Sequence, residues 1–95
     1  MRLHPKSVRM LRTIGTDIQT WRLAQGLTAT SVADRAGITR ATLRAIETDP
    51  TSVAFGNVLA VLAVLGVDDA VAAAIDPRRS ERGQILLTAA ARREL

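Results

Sequence analysis

The chain has 95 residues, of which 47% are hydrophobic and 23% charged, enough for one domain with a buried core and too few for two. It contains no cysteine, which excludes disulfides, thiolate metal sites and cysteine nucleophiles. Its only aromatic side chains are Trp21 and Phe55, too few for the stacking platforms that bind single-stranded nucleic acids. A nucleic-acid ligand would therefore have to be a duplex.

Charge is distributed unevenly along the chain. The net charge of +4 divides into +5 over residues 1–48, −4 over residues 49–76 and +3 over residues 77–95, and all but one of the 13 cations are arginines. Arginine is well suited to anion recognition. The pattern predicts two surfaces, one for a polyanion and one for packing, with scattered solvated charge as the alternative.

The composition predicts an all-α fold, because Ala, Leu and Arg abound and Gly or Pro recur where helices should stop. The i, i+4, i+7 spacing of Ile14, Ile18 and Trp21 predicts a first helix over residues 8–25, with Gly26 as its C-cap.

Two short helices separated by a tight turn are predicted next. Thr28 is a suitable N-cap for a helix that ends at Ala36, and Thr39 for a helix that ends at Thr48. Gly37 lies between them and can adopt the positive φ that such a turn requires.

The remainder of the chain predicts two further helices and a basic, loosely ordered tail. Thr51 or Ser52 is expected to cap the fourth helix, while the carboxylates of Asp68 and Asp69 suit the positive end of the fifth. The expected ranges are residues 53–65 for the fourth helix, 68–76 for the fifth and 78–95 for the tail.

The second and third predicted helices have the size pattern of a helix-turn-helix, in which two helices cross steeply through a short turn. Such a motif needs apolar residues at fixed positions, a very small residue where the helices approach each other, and glycine in the turn. The chain provides Val32, Ala36, Ile38, Leu43 and Ile46 as the apolar set, Ala33 as the small residue and Gly37 in the turn.

Four segments together carry a family likeness: Ile14-Gly15, Gly26-Leu27-Thr28, residues 32–40 and Ala45-Ile46-Glu47. They span roughly residues 12–67 and resemble the Xre, or Cro and phage-repressor, helix-turn-helix family. The resemblance implies an all-α, five-helix, lambda-repressor-like domain, usually dimeric, that regulates transcription at palindromic operators. The chain departs from the family at Ala29, where glutamine is usual, and at Ala41, where a polar base-reading residue is common.

The resemblance places DNA base contacts on the first turns of the third helix. Arg40 and Arg44 are separated by four residues, so both leave the same face, and each can pair with guanine O6 and N7. Ala41 can meet a thymine methyl group. Contact with phosphate or solvent alone is the alternative for both arginines. The complete expected set is Thr39, Arg40, Ala41, Thr42 and Arg44.

Phosphate contacts are expected from helix N-termini and hydroxyl groups. Arg22 also matches an internal ion pair of the family, with Glu47 as its partner. The basic residues 1–11 are expected to form an arm or a helix extension that contacts the DNA backbone or stays solvated. The expected phosphate-contact set is Arg22, Thr28, Thr30, Ser31, Ser52 and Asn57.

The fourth helix is apolar on all sides, which requires a partner for its second face. A homodimer through this helix is expected, with the chain's own tail or a different protein as alternatives. The expected interface residues are Val58, Val61, Leu62 and Leu65.

The resulting prediction is a sequence-specific DNA-binding transcriptional regulator without cofactor, metal or enzymatic activity, since no catalytic constellation or phosphate-cradling glycine loop is visible. The chain is divided into the N-terminal residues 1–11, a domain over 12–76 and a tail over 77–95. The segments Asp76-Pro77-Arg78-Arg79 and Arg82-Gly83 are similar to HipB-type antitoxins. This implies autorepression and a HipA-type kinase toxin as partner. A stand-alone or phage-type repressor, and a helical interaction module without DNA binding, are the alternatives.

A cytoplasmic, nucleoid-associated location without membrane contact is expected. No signal peptide is apparent at the start of the chain. The longest apolar run, residues 58–67, has about half the length that a bilayer span requires.

Overall fold

The computed structural model describes residues 2–94, which form six α-helices and two 3₁₀ helices and contain no strand. The α-helices are α1 (Pro5–Ala24), α2 (Ala29–Ala36), α3 (Arg40–Thr48), α4 (Phe55–Leu65), α5 (Asp68–Ile75) and α6 (Glu81–Glu94). The 3₁₀ helices are Pro50–Ser52 and Pro77–Arg79. The predicted all-α, lambda-repressor-like fold is confirmed.

The local signals that define α2 and α3 form as predicted. Thr28 Oγ1 accepts a hydrogen bond from the backbone N–H of Ser31 at 3.1 Å, and Thr39 Oγ1 accepts one from that of Thr42 at 3.0 Å. Gly37 has a φ of 72°, the left-handed conformation that glycine adopts without steric cost. The turn between the two helices is therefore encoded by its own residues.

The first helix begins earlier than predicted. Proline suits the first turn of a helix because its missing N–H needs no partner there, and Pro5 occupies that position in α1. The side chain of His4 caps the same turn by accepting from the N–H of Lys6 at 3.1 Å. Residues 5–11 are consequently an extension of α1.

The fourth helix begins later than predicted, at Phe55. Thr51 and Ser52 lie in a 3₁₀ helix instead, whose first N–H is capped by the Asp49 carboxylate. The N-cap of α4 is Ala54, which makes no side-chain capping bond. A competing local cap at Asp49 therefore displaced the expected start.

One hydrophobic core lies between α1, α2, α3 and α4. Of the helix-turn-helix positions predicted to be buried, Val32, Ala33, Leu43 and Ile46 lie in this core. Ala36 and Ile38 are only partly buried and pack against its edge. The core residues are Ile18, Val32, Ala33, Leu43, Ile46, Val58, Val61, Leu62 and Leu65.

The four residues expected at a dimer interface are part of this core. Val58, Val61, Leu62 and Leu65 are each 9% exposed or less, because α1, α2 and α5 all pack around α4. The apolar character of α4 is thus largely satisfied within one chain. These four side chains offer little surface to a second copy.

The C-terminal segment is helical, where a loosely ordered tail was expected. Asp76 caps the second 3₁₀ helix through the N–H of Arg78 at 3.0 Å, and Ser80 Oγ accepts from the N–H of Gly83 at 2.9 Å. These local caps start α6, and its Ala- and Leu-rich sequence sustains it.

The molecule is elongated. Its radius of gyration is 16.6 Å and its extents are 54 × 30 × 21 Å, whereas a compact chain of this length would have a radius of gyration of about 12 Å. The helix α6 packs mainly against the second 3₁₀ helix, so it projects from the body. Within residues 2–94, no helix is both long and apolar enough to cross a bilayer.

Candidate nucleic-acid interface

The helix α3 has one buried face and one solvent face. Leu43 and Ile46 are buried in the core, whereas Arg40, Ala41 and Arg44 are exposed. Because α3 begins three residues after Gly37, its first turns emerge beside the turn of the motif. The fold therefore presents this end of α3 to solvent.

The guanidinium groups of Arg40 and Arg44 have no ion-pair or hydrogen-bond partner within residues 2–94. Both side chains line a surface concavity of about 630 Å³. The two arginine side chains lie on the same face of α3, as predicted. Their donors are available to an external acceptor.

Three helices contribute to this first concavity. Gln19 and Arg22 come from α1 and Ala29 from the first turn of α2, beside the exposed face of α3. Gln19 was not among the predicted contacts, although it precedes Arg22 by three residues and so shares its helix face. The full lining is Gln19, Arg22, Ala29, Arg40, Ala41, Leu43, Arg44, Glu47 and Thr48.

A second concavity, of about 350 Å³, lies on the other side of α3. It brings Ala41 and Thr42, two predicted base contacts, beside Ser52 and Asn57, two predicted phosphate contacts. The solvent face of α3 is therefore flanked by α1 and α2 on one side and by the start of α4 on the other.

The hydroxyl groups near the motif have structural roles already. The hydroxyl oxygens of Thr39 and Thr42 are 2.9 Å apart, and Thr28 caps α2. Thr30 is exposed and Ser31 half-buried at the start of α2. Thr28, Thr30 and Ser31 do not line the first concavity, to which this turn contributes only Ala29.

Arg22 and Glu47 form the expected internal ion pair. Arg22 Nε lies 2.7 Å from Glu47 Oε2 and Nη2 lies 3.0 Å from Oε1, while Nη1 donates to the carbonyl of Leu27 at 3.1 Å. The side chains are only 11% and 5% exposed. The hydrogen bond to Glu47 raises the pKa of Arg22 above its ordinary value. This bidentate pair fastens α3 to α1.

A second charged contact joins α1 at the surface to Asp49, the residue that follows α3. Arg12 Nη2 lies 3.5 Å from Asp49 Oδ2 and both side chains are well exposed, so the contact stabilises little. The side-chain and backbone hydrogen bonds from Thr51, together with Arg12, lower the pKa of the Asp49 carboxyl. Among the cations in the N-terminal half of α1, Arg12 is the one that pairs with a carboxylate within residues 2–94.

A short helix, a glycine turn and a second helix with two unpartnered guanidiniums define the helix-turn-helix class of DNA-binding transcriptional regulators. The sequence pattern of the helix-turn-helix family matches residues 18–71, more than half of the chain. The chain belongs to this family, in its Xre/Cro-like form. Comparisons with curated proteins and with solved structures found no match.

Proposed function

We propose that this regulator reads a specific duplex sequence with α3 in the major groove. The observation that carries the proposal is the pair of exposed, unpartnered guanidiniums of Arg40 and Arg44, one helical turn apart. Each can donate two hydrogen bonds to guanine O6 and N7, the most common specific contact of arginine. Ala41 lies between them along the chain and suits a thymine methyl group.

Phosphate contacts on both sides of α3 would set its orientation in the groove. On one side are Thr28, Thr30 and Ser31 at the start of α2, and on the other are Ser52 and Asn57. Their hydroxyl and amide groups, with the backbone N–H groups of the helix starts, suit phosphate oxygens. Such contacts orient the domain without selecting a sequence.

Arg22 acts mainly by positioning α3. Three of its N–H groups are already used by Glu47 and Leu27, which leaves two of the five guanidinium donors for a phosphate. Thr39 acts similarly, because its hydroxyl caps α3. The role of both residues is to hold the first turn of α3 in a fixed place.

The regulator acts as a homodimer on a palindromic operator. Two copies of α3 would enter successive major grooves about 34–36 Å apart. Occupancy of its own promoter by the dimer would exclude polymerase and cause autorepression. The site of action is the cytoplasmic nucleoid.

More specifically, the chain would act as the antitoxin of a HipA-type kinase toxin. It is supported by the likeness of Asp76-Pro77-Arg78-Arg79 and Arg82-Gly83 to HipB-type antitoxins. Co-expression with a kinase-like protein encoded beside this chain should relieve toxicity and yield a stable complex. Absence of both effects would leave a stand-alone or phage-type repressor.

Binding to a duplex from the protein's own promoter tests base reading. Arg40→Ala and Arg44→Ala should each weaken operator binding by about 1–3 kcal/mol per half-site, because the bidentate pairing to one base is lost. Fluorescence anisotropy titrations at a fixed salt concentration measure the effect, with a scrambled duplex in parallel.

The matched control is Arg35→Ala, which removes the same charge from an exposed position of α2 that lines neither concavity. It should reduce binding to both duplexes slightly and equally. Equal losses on the operator and the scrambled duplex for Arg40→Ala and Arg44→Ala would show phosphate contact only and overturn base reading. Unchanged operator binding of Arg40→Ala and Arg44→Ala would likewise reject base reading, and a parent chain that binds neither duplex would favour an interaction module without DNA contact.

A further inference from the structure

An apolar groove lies between α1, α4 and α5 and shares no lining residue with the two concavities beside α3. Its floor contains the buried side chains of Ile18 and Leu62, and its walls carry Ile14, Trp21 and Val71. The volume is about 300 Å³, and Trp21 is 50% exposed beside it. A half-exposed tryptophan side chain at the edge of an apolar groove is typical of a contact surface.

The helix α6 carries an apolar stripe that nothing in the described chain covers. Ile85 and Leu86 are 61% and 51% exposed. Since successive residues of a helix are about 100° apart, Ala89 and Ala90 extend the same side by one turn. The groove and the stripe are thus two uncovered apolar surfaces of one chain.

The connection between α5 and α6 holds the stripe away from the chain's own groove. Asp76 accepts from the backbone N–H and the Nε of Arg78, both at 3.0 Å, and Gln84 Nε2 donates to the carbonyl of Arg78 at 2.9 Å. A Cβ at Gly83 would collide with the backbone of Pro77, so α6 starts in direct contact with the second 3₁₀ helix. To fold back, α6 would have to break these contacts.

The charges around the two surfaces are opposite. Asp17 lines the groove and forms no ion pair within residues 2–94. Arg82 and Arg93 lie one turn before and one turn after the apolar stripe, on its side of α6. Glu81 also borders the stripe beside Ile85. The apolar stripe and its two arginines match the apolar groove and the Asp17 carboxylate.

We infer that α6 of one chain docks in the groove between α1 and α5 of a second copy, and that the exchange is reciprocal. A two-fold arrangement covers the groove and the stripe of both copies and brings the arginines of each α6 towards Asp17 in the groove of the other copy. The inference rests on the homodimer proposed above and names its contact surface. It does not depend on how α3 reads DNA.

Cysteine cross-linking tests this arrangement directly, because the chain has no cysteine of its own. Ala74→Cys places a thiol in the groove and Ala89→Cys places one on the stripe. The two single variants are purified as full chains, mixed and oxidised without DNA. A disulfide between positions 74 and 89, identified by mass spectrometry, should form in the mixture and not in either variant alone.

Two other outcomes would overturn the inference. Efficient cross-linking of the Ala89→Cys variant with itself would mean that two α6 helices pair with each other. Cross-linking within single molecules, seen at high dilution in a chain that carries both substitutions, would mean that α6 covers its own groove.

Sedimentation of the full chain provides a second readout. Leu86→Glu places a charge in the stripe and should raise the dimer dissociation constant by at least about tenfold. Ala91→Glu, the matched control, adds the same charge to an exposed position on the other side of α6 and should leave the dimer intact. A monomeric parent chain, or equal effects of both variants, would refute the inference even if Arg40→Ala abolishes base reading.

Discussion

Gly15 sets how closely α1 and α3 approach each other. A Cβ at this position would lie 2.5 Å from the carbonyl oxygen of Ile46 and 3.2 Å from the carbonyl carbon of Glu47. Any larger residue must therefore push α3 outward. Because α3 carries Arg40 and Arg44, this glycine also helps to set the position of both guanidiniums relative to the body.

Replacement of Gly15 by alanine tests this close approach. Gly15→Ala should lower the free energy of unfolding by about 1–3 kcal/mol, the usual cost of overpacking, despite alanine's better helix propensity. Gly56→Ala is the matched control, since Gly56 is also helical and a Cβ there meets nothing within 4 Å; it should stabilise the fold by about 0.5–1 kcal/mol. Urea unfolding followed by circular dichroism measures both. Two stabilising substitutions would contradict the close contact.

At the scale of elements, one buried ion pair connects the helix that supports the site with the helix that forms it. Arg22 of α1 and Glu47 of α3 are bonded through two N–H groups and are nearly inaccessible. Removal of one member of such a pair leaves a buried charge without its partner, which costs more than the pair itself contributes. The pair therefore specifies the arrangement of α1 and α3 more than it stabilises the fold.

A double-mutant comparison separates these two roles. Glu47→Ala should destabilise the protein by about 3–5 kcal/mol, whereas the combination Arg22→Met with Glu47→Leu should recover most of that loss because no buried charge remains. Thermal and urea unfolding measure stability, and operator titration measures binding. If the double variant were as unstable as the single one, the pair would contribute net stability and not mainly specificity.

At the scale of the whole molecule, the elongated shape separates two surfaces. The solvent face of α3 carries the free guanidiniums, and α6 carries the uncovered apolar stripe on a projecting helix. A dimer formed through α6 would leave both copies of α3 free. A two-fold symmetric dimer of this kind predicts a palindromic DNA site, with one half-site for each copy of α3.

Selection of tight binders from a pool of random duplexes examines this prediction. The full chain should select two inverted half-sites whose centres are about 34–36 Å apart or a multiple of this distance. The Leu86→Glu variant, at a concentration where sedimentation shows it to be monomeric, should select single half-sites with the same bases. Single half-sites from the parent chain would argue against the dimeric operator complex and leave base reading by α3 intact.

The helix-turn-helix could be predicted from the amino-acid sequence, because the signals that form it are local. Thr28 and Thr39 reach N–H groups three residues away, and Gly37 needs only its own φ. The common face of Arg40 and Arg44 follows from helical spacing alone. The start of α4 was missed because two neighbouring capping signals competed and the Asp49 cap formed.

Which apolar side chains are buried became clear from the packing of the helices. The composition of α4 could not show that α1, α2 and α5 surround it, so Val58 and its neighbours were expected at an interface. The close approach of Gly15 to α3 and the place of Gln19 beside the guanidiniums likewise depend on helices that are distant in sequence. Burial is a property of what packs against a side chain, and periodicity within one helix does not contain that information.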